Sequence, residues 1–387
     1  MSKSEDESKP LSEEEFLTQF TRFKEGSISR RDFLQVTGIG AAAAILGSQL
    51  GFGSNAYAAS PNLGSKMSIA TWPNYHDPAN FTAFTKATGV AVAVNVFGSN
   101  EEMLAKLQAG AAGWDVFVPT NYTISTYVKL GLIEPLDLKR LPNYDPAQVD
   151  RRFASQGVVN GKTYAISKNW GTTGFAVNTA KLKKPMSSWK DFWNAAMGEA
   201  SGRVTVHDYQ LTTIGNALKY FGYSFNSNDP KELAKAEELL IKVKPHLFAI
   251  SSDYQPAMRA EDAWLAMCWT GDGAQLNKDL PKIKYIIGRE GGEIWSDFFA
   301  IPKDSKNKAA GYALINFLQN PATNVKEVMA HGYPTADARV SKLLPKSILE
   351  NSIIYPAKEL LTPLEFGAAA TLTNPLRAEI MARFKSA

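Results

Sequence analysis

From Lys66 onward, short apolar runs alternate with longer stretches whose apolar residues recur every three to four positions. The first pattern is that of half-buried or buried strands, the second of helices with one apolar face. Residues 67–72 (MSIATW) predict a strand, and residues 78–88 predict a helix with Phe81 and Phe84 on one face. A second strand follows at 90–97, then a helix at 101–109 with Leu104 and Leu107 turned inward. Residues 115–119 (DVFVP) read as a short buried strand and 122–130 as helical. The pattern returns with a strand at 203–206, a helix at 211–221, a charged amphipathic helix at 229–243, and a buried strand at 263–269 followed by another helix. Such βαβ alternation predicts mostly parallel sheets with helices on both faces. Its recurrence predicts two α/β lobes, with crossovers at 161–177 and 298–302. No long Gly/Ser linker, low-complexity tract or short repeat interrupts the chain.

Before Lys66 the pattern is different. Residues 1–29 are polar, Arg30 and Arg31 stand directly before an uncharged run rich in Ala and Gly, and Ala56-Tyr57-Ala58 offers a small-x-small cleavage site. The arrangement resembles a twin-arginine export signal cleaved near Ala58, which implies export of an already folded chain to the periplasm. A membrane anchor is the competing reading, but the run is Gly/Ala-rich rather than Leu-rich. Gly38-Ile39-Gly40-Ala41-Ala42-Ala43 fits a dinucleotide-binding pattern only superficially, because no strand precedes it.

Composition narrows the function classes. The chain has 387 residues, 44% hydrophobic and 21% charged, which is globular composition and enough for two or three domains. Net charge is +4, and because residues 1–58 carry six basic and eight acidic residues the remainder is +6. That balance does not point to a nucleic-acid partner. One cysteine, Cys268, excludes an intrachain disulfide, and the four histidines are not spaced as zinc ligands. No P-loop, GxSxG elbow or HExxH motif is present, so neither a cofactor nor enzymatic activity is expected. His207-Asp208 is the one hint of a metal-dependent hydrolase and lacks partner histidines; His246 and His331 show no evident partner.

In open α/β sheets ligands bind beyond the C-terminal ends of the strands. The residues just after the predicted strands are Trp72 to Tyr75, Thr120 to Tyr122, His207-Asp208, and Trp269 to Asp272. Aromatic rings attract cations and pack against methylene groups, and carboxylates orient ammonium ends. The combination suits a small organic cation.

Residues 66–387 resemble the periplasmic spermidine- and putrescine-binding proteins of ABC importers. The resemblance rests on Trp72-Pro73-Asn74-Tyr75, Ser99-Asn100-Glu101-Glu102, Asp115-Val116-Phe117-Val118-Pro119, Trp170-Gly171-Thr172-Thr173-Gly174, Cys268-Trp269-Thr270-Gly271-Asp272, Glu290-Gly291-Gly292-Glu293-Ile294-Trp295-Ser296-Asp297 with Ala300-Ile301-Pro302, Lys306-Asn307-Lys308, and His331-Gly332-Tyr333-Pro334-Thr335. It implies a periplasmic-binding-protein fold of two lobes that close on the ligand, residues 59–170 with 298–335 and residues 171–297 with 336–387. It also implies a membrane permease as partner and a monomeric protein. The implied ligand residues are Trp72, Asn74, Tyr75, Thr120, Tyr122, Asp208, Trp269, Asp272, Trp295, Asp297 and Tyr333. Three positions depart from the family pattern. Asn74 and Leu211 stand where carboxylates are usual, and Gly367 where a Gln or Lys would reach the site. Those departures imply a ligand with one firmly held cationic end and a less charged or carboxylate-bearing other end, with putrescine, agmatine and γ-aminobutyrate-like molecules as candidates. Ferric iron, thiamine, a sensory role and an exported hydrolase are the other readings.

Overall fold

The computed structural model describes residues 63–110 and 113–387; the predicted export segment lies outside the described residues. Strand β1 (Lys66–Thr71) lies between β2 (Ala91–Val96) and β3 (Val116–Phe117) in a parallel sheet. The β1–β2 crossover is helix Pro78–Thr88. Asp77 caps its start by accepting from Ala79 N, and Gly89 ends it at φ 76°, a left-handed conformation that costs glycine little. Phe84 is fully buried, whereas Phe81 is half-buried at the rim of the same cluster. The β2–β3 crossover is helix Asn100–Gln108, capped by Ser99 and packed inward through Met103 and Leu107; Leu104 is only partly covered.

A small hairpin of β4 (Val158–Val159) and β5 (Lys162–Thr163) leads into β6 (Ile166–Asn178), all thirteen of whose residues are buried. Six further strands complete a seven-stranded sheet: β7 (Val204–Val206), β8 (Ala249–Ile250), β9 (Leu265–Trp269), β10 (Ile283–Ile286), β11 (Gly292–Phe299) and β12 (Leu364–Phe366). Its order is β12-β11-β6-β9-β7-β8, with β10 also on β6. The sequence pattern predicted a mostly parallel sheet, and six of the seven strands do run one way; β6 alone runs against them. β6 runs antiparallel to β9, β10 and β11, while β7 is parallel to β8 and β9, and β11 to β12. Apolar periodicity reports which face of a strand is buried, not which way its neighbours run.

The strands feed two cores and so build two α/β lobes. Met67, Ile69, Val116, Ile166, Phe299 and Leu314 pack in one. Phe175, Val177, Trp189, Val204, Leu265 and Phe384 pack in the other. β6 therefore begins in the first core at Ile166 and ends in the second at Val177. Helix Lys308–Leu318 covers the first core and helix Pro375–Ser386 the second. Backbone bridges from Phe117 to Ala300 and from Thr120 to Asp297 tie the end of β3 to the end of β11.

Candidate functional site

A cavity of about 550 Å³ opens at these strand ends, and all eleven residues expected at the site line it. Trp72, Asn74 and Tyr75 come from the turn after β1, Thr120 and Tyr122 from the turn after β3, and Asp208 from the turn after β7. Trp269 ends β9, and Asp272 lies in the first turn of the helix Thr270–Asp279 that follows. Trp295 and Asp297 lie on β11, and Tyr333 follows helix Pro321–His331. Asn100, Tyr209, Ser252, Gln255 and Glu293 also line the cavity and were not expected there.

The turn after β1 is held from behind by a buried polar cluster. Asn74 takes a left-handed φ of 53°, a conformation asparagine tolerates better than most residues. Glu327 receives hydrogen bonds from Asp77 N (3.1 Å) and Asn80 Nδ2 (2.6 Å) and lies 2.8 Å from His76 Nδ1. Lys168 Nζ donates to the Tyr75 carbonyl at 2.9 Å, sits 4.1 Å from the centre of the Tyr75 ring, and is 3.9 Å from Glu327. Burial pulls Lys168 down to about 8 against the opposing pull of Glu327 and Asp297. On the cavity side, the Tyr75 hydroxyl donates to Asp297 Oδ2 at 2.6 Å and lies 2.8 Å from Asn169 Oδ1. Asn100 Nδ2 donates to both the Tyr122 hydroxyl (2.9 Å) and Thr120 Oγ1 (3.1 Å), which orients both side chains.

Five carboxylates line this space: Asp208, Asp253, Asp272, Glu293 and Asp297. Burial pushes Asp297 up to about 6, despite the Tyr75 and Thr120 hydroxyls and the charge of Lys168. Burial also lifts Asp272 to about 6, opposed by the Tyr254 hydroxyl that donates to its Oδ2 at 2.8 Å. Glu293 is lifted to about 7, first by burial and then by the charge of Asp297, although Thr173 Oγ1 donates to it at 2.6 Å. Asp208 accepts from Ser252 Oγ at 2.6 Å. A carboxyl raised by burial is one whose charge its neighbours do not fully compensate.

The aromatic groups form two sets. Tyr75, Tyr333 and Trp295 meet edge to face, each neighbouring pair 5.2 Å between ring centres. Trp269 leans on His207 at 4.5 Å and donates from Nε1 to the Tyr209 hydroxyl at 3.3 Å. His207 is fully buried and held neutral, its imidazole lowered to about 3 by burial, and it does not line the cavity. It backs Trp269, and no metal-type cluster exists among the described residues. Cys268 is buried, with its thiol pushed well up by burial. His331 and His246, which showed no partner in the sequence, both have one. Nδ1 of His331 accepts from Tyr333 N at 3.0 Å, and Nδ1 of His246 lies 2.8 Å from Ser201 Oγ.

The departures at Leu211 and Gly367 turn out to be one feature. Leu211 is buried in a cluster with Tyr122, Phe225 and Leu372 and does not line the cavity. Gly367 packs against it so closely that a Cβ there would fall 2.9 Å from Leu211 Cδ2 and 3.3 Å from Tyr122. An apolar plug thus closes the region behind Tyr122.

Residues 79–349 match the family model for the bacterial extracellular solute-binding proteins. The chain is 33% identical over 312 residues to the spermidine/putrescine-binding periplasmic protein of Escherichia coli, covering 78% of this chain and 87% of that one. It is 30% identical to a putrescine/agmatine-binding protein of Pseudomonas aeruginosa, over 81% of this chain and 89% of the relative. The fold superposes with a TM-score of 0.70 on a spermidine/putrescine ABC-transporter substrate-binding protein from Streptococcus pneumoniae. That structure is 28% identical, and the match covers 84% of this chain and 99% of the other.

Proposed function

Because this chain belongs to the periplasmic polyamine-binding group of the bacterial extracellular solute-binding proteins, which serve ABC importers by binding a small amine, we propose that it captures a putrescine- or polyamine-like cation and hands it to a membrane permease. The observation that carries this reading is the lining of one cavity by Asp208, Asp272, Glu293 and Asp297 together with Trp72, Tyr75, Trp269, Trp295 and Tyr333. Aromatic faces contribute about 0.5–2 kcal/mol each to a cation, and carboxylates form charge-assisted bonds to ammonium groups. All eleven residues named from the sequence act as ligand contacts in this reading. Asn74, at the tip of its turn, supplies a neutral polar contact.

Closure follows from differential contact: a ligand touching both lobes at once favours the shut form. The lobes are assigned to residues 59–170 with 298–335 and to 171–297 with 336–387. The protein acts as a monomer in the periplasm after twin-arginine export and cleavage near Ala58. A ferric-iron reading would use Tyr122 and Tyr333 as phenolate ligands and would leave Trp72, Trp269 and Trp295 without a role in the cavity they line.

The test is a thermal-shift panel of diamines, polyamines, guanidino compounds, amino acids, thiamine and ferric citrate. A ligand at 100 times its dissociation constant adds about 2.7 kcal/mol of stability, so diamines should raise Tm clearly. A response to thiamine or iron, or a flat response to every cation, overturns the proposal.

A further inference from the structure

Strand side chains alternate between faces, so residues 293, 295 and 297 of β11 project to the same side. All three line the cavity. Their neighbours point away: Ile294 packs with Phe153 and Leu364, and the Ser296 hydroxyl donates to the Asn169 carbonyl. Three consecutive cavity-facing positions therefore read carboxylate, indole, carboxylate. At about 3.3 Å per residue, the two acidic Cα atoms are roughly 13 Å apart along the strand. The indole between them lies over Gly171 of β6, where a Cβ would fall 2.5 Å from Trp295 Cζ2. Asp297 sits at the Tyr75 end of this row. Glu293 sits at the other, near enough to Tyr209 to be the main charge raising its phenol.

Glu293 has no structural partner that would account for its charge. Among the described residues its one hydrogen bond is from Thr173 Oγ1, and no Lys, Arg or His forms an ion pair with it. A buried carboxylate without a counter-ion is costly to hold in its charged form, and an arriving cation would relieve that cost. The plug of Leu211 and Gly367 brings no charged group to this region.

We propose that Glu293 is the carboxylate that receives a second ammonium group, with Asp297 holding the first and the connecting methylene chain lying across Trp295. The ligand is then an α,ω-diamine rather than a molecule with a single cationic end. This assignment rests on the amine-binding reading above and names the ligand class within it. Its rise to about 7 leaves the empty site partly protonated, which lowers the cost of keeping it buried.

The experiment measures 1,4-diaminobutane and n-butylamine by calorimetry at pH 7.5 against the wild-type protein, Glu293→Gln and Asp297→Asn. Glu293→Gln should weaken the diamine tenfold or more and change butylamine less than threefold, whereas Asp297→Asn should weaken both. Equal diamine affinity in wild type and Glu293→Gln overturns the assignment while leaving amine binding intact. Absence of any amine binding to wild type overturns both. Glu293→Met provides the same reading should the Gln variant fold poorly. A check on the wild type alone compares proton release in two buffers of different ionisation enthalpy. Release should be greater with the diamine than with butylamine, and equal release counts against Glu293.

Discussion

Across the β6–β11 ladder, Trp295 is paired with Gly171, and its indole occupies the space a side chain at 171 would need. The ring is therefore positioned by an absence: with no Cβ beneath it, it can lie along the strand and present a face to the cavity. A Gly171→Ala variant must displace the indole or shift the strand. Overpacking of this kind costs about 1–3 kcal/mol, and tilting the ring forfeits a cation contact of about 1 kcal/mol. The expected result is a lower Tm and roughly five- to tenfold weaker amine binding, read by thermal melts and calorimetry. Unchanged affinity would show that the indole face is not used.

Tyr75→Phe isolates the hydroxyl that donates to Asp297 at 2.6 Å. Its loss leaves a buried carboxylate short of a donor, at a cost of about 1–3 kcal/mol. Because that hydrogen bond lowers the Asp297 pKa, its removal raises the pKa further. Amine affinity should fall at pH 7, and the gap from wild type should narrow at pH 8.5. A gap that is constant with pH would mean that Tyr75 acts through ring packing alone.

Ligand binding should strengthen with pH. Asp272 and Asp297 titrate near 6 and Glu293 near 7 in the empty protein. A cation requires them ionised, so binding releases protons and affinity climbs from pH 5 to pH 8. The groups facing the site are these three, Asp208, Asp253, and Lys168 behind Tyr75. Stability of the empty protein behaves differently. These carboxyls, raised on folding, weaken it as pH increases through 4 to 7. His76, His207 and His331, lowered on folding, strengthen it over an overlapping range. A pH-independent dissociation constant, measured calorimetrically, would contradict the role given to the carboxylates.

Lys168 makes a prediction at the alkaline end. Its pKa falls from the ordinary lysine range to about 8 on burial. Between pH 8 and 10.5 the unfolded chain binds a proton there that the folded one does not, so this residue contributes rising stability as pH increases. The difference between wild type and Lys168→Met in denaturant melts should grow in favour of wild type across that window. A difference that is flat or shrinks would show that Lys168 keeps an ordinary pKa.

Much of this site was legible because it sits where strands end. Trp72, Tyr75, Thr120, Tyr122, Asp208 and Trp269 follow apolar runs directly, and the strand-end rule needs no knowledge of packing. The strand-end rule does not reach inside a strand: Trp295 and Asp297 came only with the family resemblance, which did not carry Glu293 to the site. Its signal was nonetheless available, since it shares parity with Trp295 and Asp297 in the run Glu293-Ile294-Trp295-Ser296-Asp297. Tyr209 enters the cavity one position beyond Asp208 in the same turn, and Asn100 belongs to a recognised motif that was not assigned to the site. The antiparallel placement of β6 could not be read locally, because it depends on β9 and β11, about 90 and 120 residues further along the chain. The partners of His76, Lys168 and Glu327 are equally remote in sequence.

The course of β6 has a consequence for how the chain reaches its native state. The core anchored by Met67 and Ile69 is finished only when Leu314 and Tyr333 arrive, and the core around Trp189 only when Phe384 does. Neither half is a continuous stretch that could be synthesised, folded and set aside, and the described residues from 63 onward form one compact unit. Assembly is thus a late event that waits for the C-terminal helix Pro375–Ser386. Loss of that helix removes Ile380, Met381 and Phe384 from a core already sharing a strand with its neighbour, so truncation there unravels the ligand cleft from a distance.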